Sequence, residues 1–486
     1  MQYKSFNDGM LFNSFEFLVF LPLVFLLYWF GFRTLRWQNF FVVIASYLFY
    51  GWWDWRFLIL IAFTSLCSFL SGLALEHIAD KVRRRWVSAA NICVNLLVLA
   101  IFKYYNFFVE NLSDLFFLVG YELDWATINI VLPVGISFYT FQALSYTIDV
   151  YRRNIRATHD PVEFFAYIAF FPQLVAGPIE RATNLLPQFQ RKRTFDYAKA
   201  VDGCRQMLWG FFKKLVVADN CAIIVNQYWD GYAGQTGFHL FLVAVLFTFQ
   251  IYCDFSGYSD IAIGCARLFG FNLRRNFNYP YFSRNIAEFW RRWHISLMTW
   301  FRDYIYFPLG GSRCSRKKAM LNTLLVFFVS GLWHGANWTF VVWGIYNAVL
   351  IIIGNMIGFN AKYKDQPAKG RVLPTPKESL NILSTFLLAV IGWVIFRSEN
   401  MGQVFGYLQQ MFSLSLFNAG GTDCLTTIIW CLLMLAVEWI QRDKQHALEL
   451  SGVRCTWVRY IIYTVVFFTI YCMTPNQMSE FIYFQF

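Results

Sequence analysis

Charge is scarce in this sequence. Charged residues make up 14% of its 486 positions, against about 25% in an ordinary soluble domain. That is too little to cover a soluble surface. Length alone would suggest about three soluble domains. Yet apolar runs recur from one end to the other, 58% of the residues are hydrophobic, and the mean hydropathy is +0.43. Disorder, collagen and a disulfide-rich secreted scaffold are excluded on the same grounds. The 11 cysteines are odd in number and scattered, and no two are spaced as C-x-x-C. Most sit inside apolar runs (Cys67, Cys93, Cys431, Cys472), so neither a disulfide framework nor a metal site is expected. Also missing are G-x-S-x-G, a Gly-rich phosphate loop and H-E-x-x-H. No internal repeat of the kind that marks inverted-repeat transporters is visible. The first apolar run, Phe15–Phe32, lacks an A-x-A site and is followed, not preceded, by basic residues (Arg33, Arg36). It reads as a retained span with its N-terminus outside, not as a signal peptide.

What the chain has in plenty is apolar length. A spanning helix takes about 20 mainly apolar residues. Such runs lie near 15–32, 37–51, 57–75, 86–102, 129–148, 207–226, 238–256, 319–335, 338–358, 380–396, 423–440 and 457–474. Phe107–Val119 reads either as a further span or as a surface helix. Lys+Arg number 41 against 29 Asp+Glu, a net charge of +12. In a soluble protein that balance would raise nucleic acid as a partner. Here the basic residues cluster between alternate spans: Arg33/Arg36, Lys81/Arg83/Arg84/Arg85, Arg152/Arg153/Arg156, Arg191/Lys192/Arg193, Arg313/Arg316/Lys317/Lys318, Lys362–Lys377 and Arg442–Arg459. Walking the spans in order puts every cluster on one side, as the positive-inside rule requires. The alternate loops 52–56, 103–128, 227–237 and 397–422 are poor in Lys and Arg. The expectation is an all-α polytopic membrane protein, a single domain over 1–486. It has about twelve spans with both termini outside, and no nucleic-acid partner.

Two regions do not fit simple spans. Phe164–Ile179 is apolar but carries Pro172, Gly177 and Pro178, and 257–318 mixes aromatic, Arg, Gly and Pro residues. Non-helical backbone at membrane depth survives only when buried in protein or lining a wet cavity. Both therefore read as re-entrant or interfacial segments around a central cavity, the alternative being amphipathic helices on the cytoplasmic surface. Asn360–Pro376, with three prolines among four basic residues, is the one linker-like stretch and reads as a cytoplasmic loop.

Of the six histidines, His77, His159, His239 and His446 lie where solvated or interfacial histidines belong. His334 does not. It follows Lys318 by sixteen residues within an apolar stretch, about 24 Å along a helix. An ionisable residue at that depth is a functional candidate by default. Gly331 and Gly335 flank it, and Asn337 and Thr339 follow, a pattern that predicts close backbone approach or a break in the helix. A buried histidine hydrogen-bonded to another helix is the competing reading. His294 lies in Phe289-Trp-Arg-Arg-Trp-His-Ile-Ser-Leu-Met-Thr-Trp-Phe-Arg-Asp303. As one helix this places Trp290, His294, Leu297 and Phe301 on a shared face, stopping at Tyr306-Phe-Pro-Leu-Gly-Gly311. An interfacial helix with Trp anchors and snorkelling Arg has the same look. Asp254 and Asp260, in Tyr252-Cys-Asp-Phe-Ser-Gly-Tyr-Ser-Asp260, read as lying near a span end. There they would position a histidine, bind a polar headgroup or serve as an ordinary cap.

These segments, with Met10-Leu-Phe-Asn-Ser-Phe-Glu-Phe-Leu18, Phe171-Pro-Gln-Leu-Val-Ala-Gly-Pro-Ile-Glu-Arg181 and Leu332-Trp-His-Gly335, resemble the membrane-bound O-acyltransferase (MBOAT) superfamily. The likeness is closest to its bacterial branch, which includes alginate O-acetyltransferase membrane subunits and teichoic acid D-alanyl transfer proteins. The match runs in order along most of the chain. The resemblance implies a ring of about 11–13 tilted transmembrane helices, with re-entrant or interfacial helices, around a central tunnel. It implies two catalytic histidines, His334 in its Trp-His-Gly setting and His294, with Trp333, Asn337 and Asp254 lining the tunnel. It further implies a cytoplasmic acyl thioester donor such as acetyl-CoA, no bound cofactor or metal, and an exported, alginate-like polysaccharide acceptor. An extracytoplasmic SGNH-type transferase partner and a place in the bacterial inner (cytoplasmic) membrane follow from the same likeness. O-acetyl transfer to that polysaccharide is the leading expectation. D-alanyl or other acyl transfer to a cell-wall polymer, and a non-enzymatic transporter or flippase, stay open. The Arg-rich stretch 267–318 is able to hold a donor's phosphates through charge-assisted bonds, or simply follows positive-inside bias.

Overall fold

In a computed structural model, residues 9–122, 127, 132–175, 177–418, 424–476 and 479–482 are described. The chain is 72% helix, with no strand among the described residues. Among the described residues, six helices are long and apolar enough to cross a membrane and two shorter apolar ones accompany them. Each run expected to span carries helix over most of its described residues; the run expected at 129–148 is helical only from Ile136, and 129–131 and 423 lie outside the described residues. The helices gather into two compact units, one of Met1–Ala200 with Cys265–Leu273, the other of Val201–Gly264 with Arg274–Phe486.

The first unit contains α1 (Phe15–Leu26), α2 (Leu35–Gly51), α3 (Arg56–His77), α4 (Lys81–Leu118), α5 (Ile136–Tyr151), α6 (Pro161–Ala169), α7 (Phe171–Leu174) and α8 (Ala182–Phe189). Helix α4 runs 38 residues without a break, about 57 Å at 1.5 Å per residue. That corrects the reading of Phe107–Val119 as a separate span or surface helix: nearly all of it is the far end of α4. Polar side chains join α3, α4 and α5. Asn91 Oδ1 accepts from Thr147 at 2.8 Å and from the Asn95 amide at 3.2 Å, a form of helix association suited to apolar surroundings. Arg84 donates to the last carbonyls of α5, Val150 at 3.2 Å and Tyr151 at 2.9 Å. The short helix α7 is wholly buried, and α6 is buried at Phe164 and over Ala166–Ala169, as expected of proline-broken backbone enclosed in protein.

The second unit begins with α9 (Tyr197–Phe211), which continues through a widened π-turn at Phe212–Ala218 into α10 (Asp219–Tyr228). It then carries α11 (Gly237–Leu268), α12 (Ile286–Arg292), α13 (Ile295–Phe301), α14 (Arg316–His334), α15 (Trp338–Met356), α16 (Pro376–Arg397), α17 (Met401–Met411), α18 (Leu425–Ile440) and α19 (Thr456–Met473). Helix α11 extends twelve residues past the span expected for it, so Tyr252–Asp260 lies mid-helix, not at a span end. One further expectation is corrected. His294 does not sit inside one helix: its backbone is left-handed (φ 44, ψ 52) and separates α12 from α13. The stretch Asn360–Pro376 is non-helical up to Thr375, as expected of a loop, and it is held down. Arg442 donates to the carbonyls of Pro367, Ala368 and Arg371, and Arg292 donates to Gln366 at 2.8 Å.

Candidate active site

His334 is the last residue of α14, and the turn that follows depends on two glycines. A Cβ on Gly331 would lie 2.3 Å from the carbonyl oxygen of Phe340, and one on Gly335 would lie 2.1 Å from the Phe340 ring. Small residues at these two places let α14 and α15 close into a tight hairpin. Both features the sequence predicts, close approach and a helix break, occur here. The His334 imidazole is 4% exposed and meets aromatic edges on three sides: Trp333 at 4.9 Å, Trp343 at 5.0 Å and Phe396 at 5.3 Å between ring centroids.

His294 arrives by another route. Its left-handed backbone is uncommon outside glycine, although histidine is among the residues that tolerate it. Two hydrogen bonds from the preceding loop hold it: Asn278 N–H to Arg292 O at 2.9 Å and Ile295 N–H to Asn276 O at 2.8 Å. The imidazole is 1% exposed and packs edge-on against Phe255 of α11 at 4.7 Å and near Phe277 at 6.4 Å. Its Nδ1 lies 3.1 Å from Oδ1 of Asn276. Burial lowers its proton affinity, so the imidazole is neutral at pH 7. The Trp333 ring, 6.0 Å from His294 and 4.9 Å from His334, touches both. Two histidines forty residues apart thus share one aromatic wall.

Beside Asn276 lies a small polar cleft, lined by Lys213, Tyr252, Ser259, Asp260, Arg275 and Asn276 among others. Lys213 pairs with Asp260 at 2.6 Å and with Ser256 at 2.9 Å. The Tyr252 hydroxyl lies 2.8 Å from a carboxylate oxygen of Glu438. Asn276 belongs to both places, since it lines the cleft and touches His294.

A family model described as MBOAT, membrane-bound O-acyltransferase family, matches residues 152–371. "Probable alginate O-acetylase AlgI" of Pseudomonas aeruginosa is 41% identical, over 83% of this chain and 75% of that protein. The chain belongs to the membrane-bound O-acyltransferase family. "Peptidoglycan O-acetyltransferase" of Helicobacter pylori is 28% identical over 92% of this chain and 91% of that protein. "Teichoic acid D-alanyltransferase" of Bacillus subtilis is 29% identical over 56% of this chain and 70% of that protein.

As a membrane-bound O-acyltransferase, this multi-pass protein is an enzyme that uses an acyl donor. The matched segment contains both His294 and His334. Of the other residues singled out from sequence, Trp333 is in direct contact with both rings. Asn337 is the N-cap of α15. Its Oδ1 caps the helix by accepting from Thr339 N–H at 3.0 Å, and its amide nitrogen donates to Glu399 O at 2.6 Å, so both ends of its amide are engaged. Asp254 sits in an ion cluster: Lys214 Nζ lies 2.7 Å from it and 2.8 Å from Asp219.

Sequence reasoning passed over Lys213, Lys214 and Asn276. The first two carried a signal. Two lysines inside the apolar run Trp209–Val217 are costly in a membrane, and the two Asp of the 252–260 motif are their partners. Asn276 carried none, because nothing local distinguishes it from any loop asparagine.

Proposed function

We propose that this membrane-bound O-acyltransferase moves an acetyl group from a cytoplasmic thioester donor, acetyl-CoA, to hydroxyls of an exported, alginate-like polysaccharide. His334 is the general base and His294 the second imidazole of the site. The observation that carries this reading is Trp333 in contact with both imidazoles, in a family whose reaction is acyl transfer. The 41% identity to a protein named for alginate O-acetylation supports the choice of acetyl and of polysaccharide.

The reaction moves few atoms. The acceptor O–H bond breaks as its proton passes to an imidazole nitrogen. The freed oxygen bonds to the thioester carbonyl carbon, the carbon–sulfur bond breaks, and the departing thiolate takes the proton back. A positioned base contributes about 10²–10⁴-fold. Holding donor and acceptor together supplies the proximity part of the rate. Dry aromatic walls suit this chemistry, because a water in the same place would hydrolyse the thioester. We place the enzyme in the bacterial inner membrane with its basic loops in the cytoplasm, as one acyltransferase domain. An SGNH-type extracytoplasmic transferase is its partner in completing transfer to polymer.

The test is release of free thiol from acetyl-CoA by purified protein, with a soluble glycan as acceptor. Wild type releases thiol and His334→Ala does not. Equal release by both, at equal folded protein, overturns His334 as base. Release by wild type only when the extracytoplasmic partner is added makes the protein the first half of a relay.

A further inference from the structure

Asn276 lies on the loop between α11 and α12 and is 1% exposed. Its Oδ1 faces three groups: Nδ1 of His294 at 3.1 Å, the Ser296 hydroxyl at 2.9 Å and the Ser296 backbone N–H at 3.4 Å. Its amide nitrogen donates to Ser259 Oγ of α11 at 3.1 Å. A backbone N–H only donates, so the Asn276 atom that receives it is the oxygen. An amide oxygen only accepts, so the His294 nitrogen opposite it carries the hydrogen. The second ring nitrogen of a neutral imidazole is then the acceptor.

We propose that Asn276 is a positioning residue that locks His294 as the Nδ1–H tautomer, so that Nε2 offers a lone pair to the acyl-acceptor hydroxyl. This rests on the reading of His294 as part of the acyl-transfer site and narrows what it does there. A neutral Nε2 acceptor orients an incoming O–H for proton removal by His334, and has no hydrogen of its own to donate to an oxyanion. The surroundings fix this choice. The ring is held between Phe255 of α11, Phe277 of the loop and Trp333 of α14. The left-handed backbone at His294 is pinned by the same residue, through Ile295 N–H to Asn276 O. A ring flip that exchanged the two nitrogens would give up the Asn276 bond.

Three variants test it in the thiol-release assay. Asn276→Leu keeps the volume but has no acceptor; kcat falls about 10²-fold, the scale of a mispositioned catalytic group, while KM for acetyl-CoA changes little. Asn276→Asp keeps an acceptor oxygen and adds a negative charge that favours the imidazolium. It retains activity, but the acidic limb of its pH–rate profile moves up by about 1–3 pH units. A purely structural asparagine would not move that limb. His294→Gln serves as the control. If His294→Gln keeps full activity, the reading of His294 fails. If His294→Gln is inactive while Asn276→Leu matches wild type, or folded Asn276→Asp keeps the wild-type profile, the positioning role alone is overturned. A readout independent of activity is NMR of protein with nitrogen-labelled histidine. The imidazole signals missing from His294→Gln are those of an Nδ1–H ring, and an Nε2–H pattern overturns the inference.

Discussion

Lys214 and Asp254 face each other at 2.7 Å with the lysine fully buried and the aspartate 3% exposed. The lysine also reaches Asp219 and the carbonyl of Ser479 at 2.9 Å, while Ile482 N–H donates to Asp254 at 2.7 Å. A buried cation between two carboxylates therefore fastens the C-terminal segment. That segment lays Phe481 against Phe255 at 6.0 Å, and Phe255 is the ring that backs His294. The cluster lies one residue along the π-turn from Lys213, which serves the polar cleft. One widened turn of helix thus supplies a cation to each.

Removing one partner of such a cluster is far more damaging than never having built it, because the remaining charges stay buried without compensation. Lys214→Met leaves two carboxylates facing each other and is expected to cost about 3–5 kcal/mol. Thermal unfolding of the purified protein in detergent measures this. A melting temperature equal to wild type would mean that the cluster does not hold the C-terminal segment in place.

How far this architecture is legible from sequence depends on whether its causes are local. The apolar runs are local, and each carries helix over most of its described residues. The turn at His334 is local too, since Gly331 and Gly335 act within a few residues of it. The break at His294 is not. Trp290, Leu297 and Phe301 are all buried, so a helical period fits the segment well. The helix is nevertheless interrupted by hydrogen bonds from residues 276 and 278, which lie outside any window that periodicity samples. The same holds for Asn360–Pro376, whose composition is that of a linker but whose carbonyls are claimed by an arginine some seventy residues away. Asp254 shows the opposite case: it stands out in sequence, yet its partner Lys214 decides what it does.

Gly331 offers a sharper test of the hairpin that carries His334. An alanine there drives its methyl into the Phe340 carbonyl, and backbone cannot swing aside as a flexible side chain does. Gly331→Ala is expected to cost about 1–3 kcal/mol by overpacking and to lower kcat by more than about tenfold through displacement of His334. Gly452→Ala, where an added methyl meets no atom within 4 Å, is the neutral control. Identical thiol release by both variants would remove the hairpin from any role in placing the histidine.

The strap over 360–375 makes a separate prediction. The Arg442 guanidinium is 8% exposed and holds three carbonyls of that strap, the tightest being Arg371 O at 2.5 Å. Hydrogen bonds from charged groups contribute about 1.5–3 kcal/mol each. Arg442→Ala therefore raises the open population of the strap by at least about tenfold, and trypsin cleavage at the exposed Lys369 accelerates in proportion. Cleavage at the wild-type rate would show that the other contacts of the strap suffice.

Trp333 is where stability and catalysis separate most cleanly. Truncation to alanine removes a buried indole, and large-to-small changes of that size cost about 3–5 kcal/mol, so Trp333→Ala alone confounds folding with function. Trp333→Phe keeps an aromatic ring in the wall and loses only part of the volume. Because the indole contacts both imidazoles, even this milder change is expected to loosen their mutual placement. The expected outcome is a melting temperature within a few degrees of wild type and a kcat for thiol release down by about 10–10²-fold, with KM for acetyl-CoA nearly unchanged. That split distinguishes a wall that aligns reacting groups from one that binds the donor, which would instead raise KM. Wild-type kcat in Trp333→Phe would mean that His294 and His334 hold their positions without the ring they share.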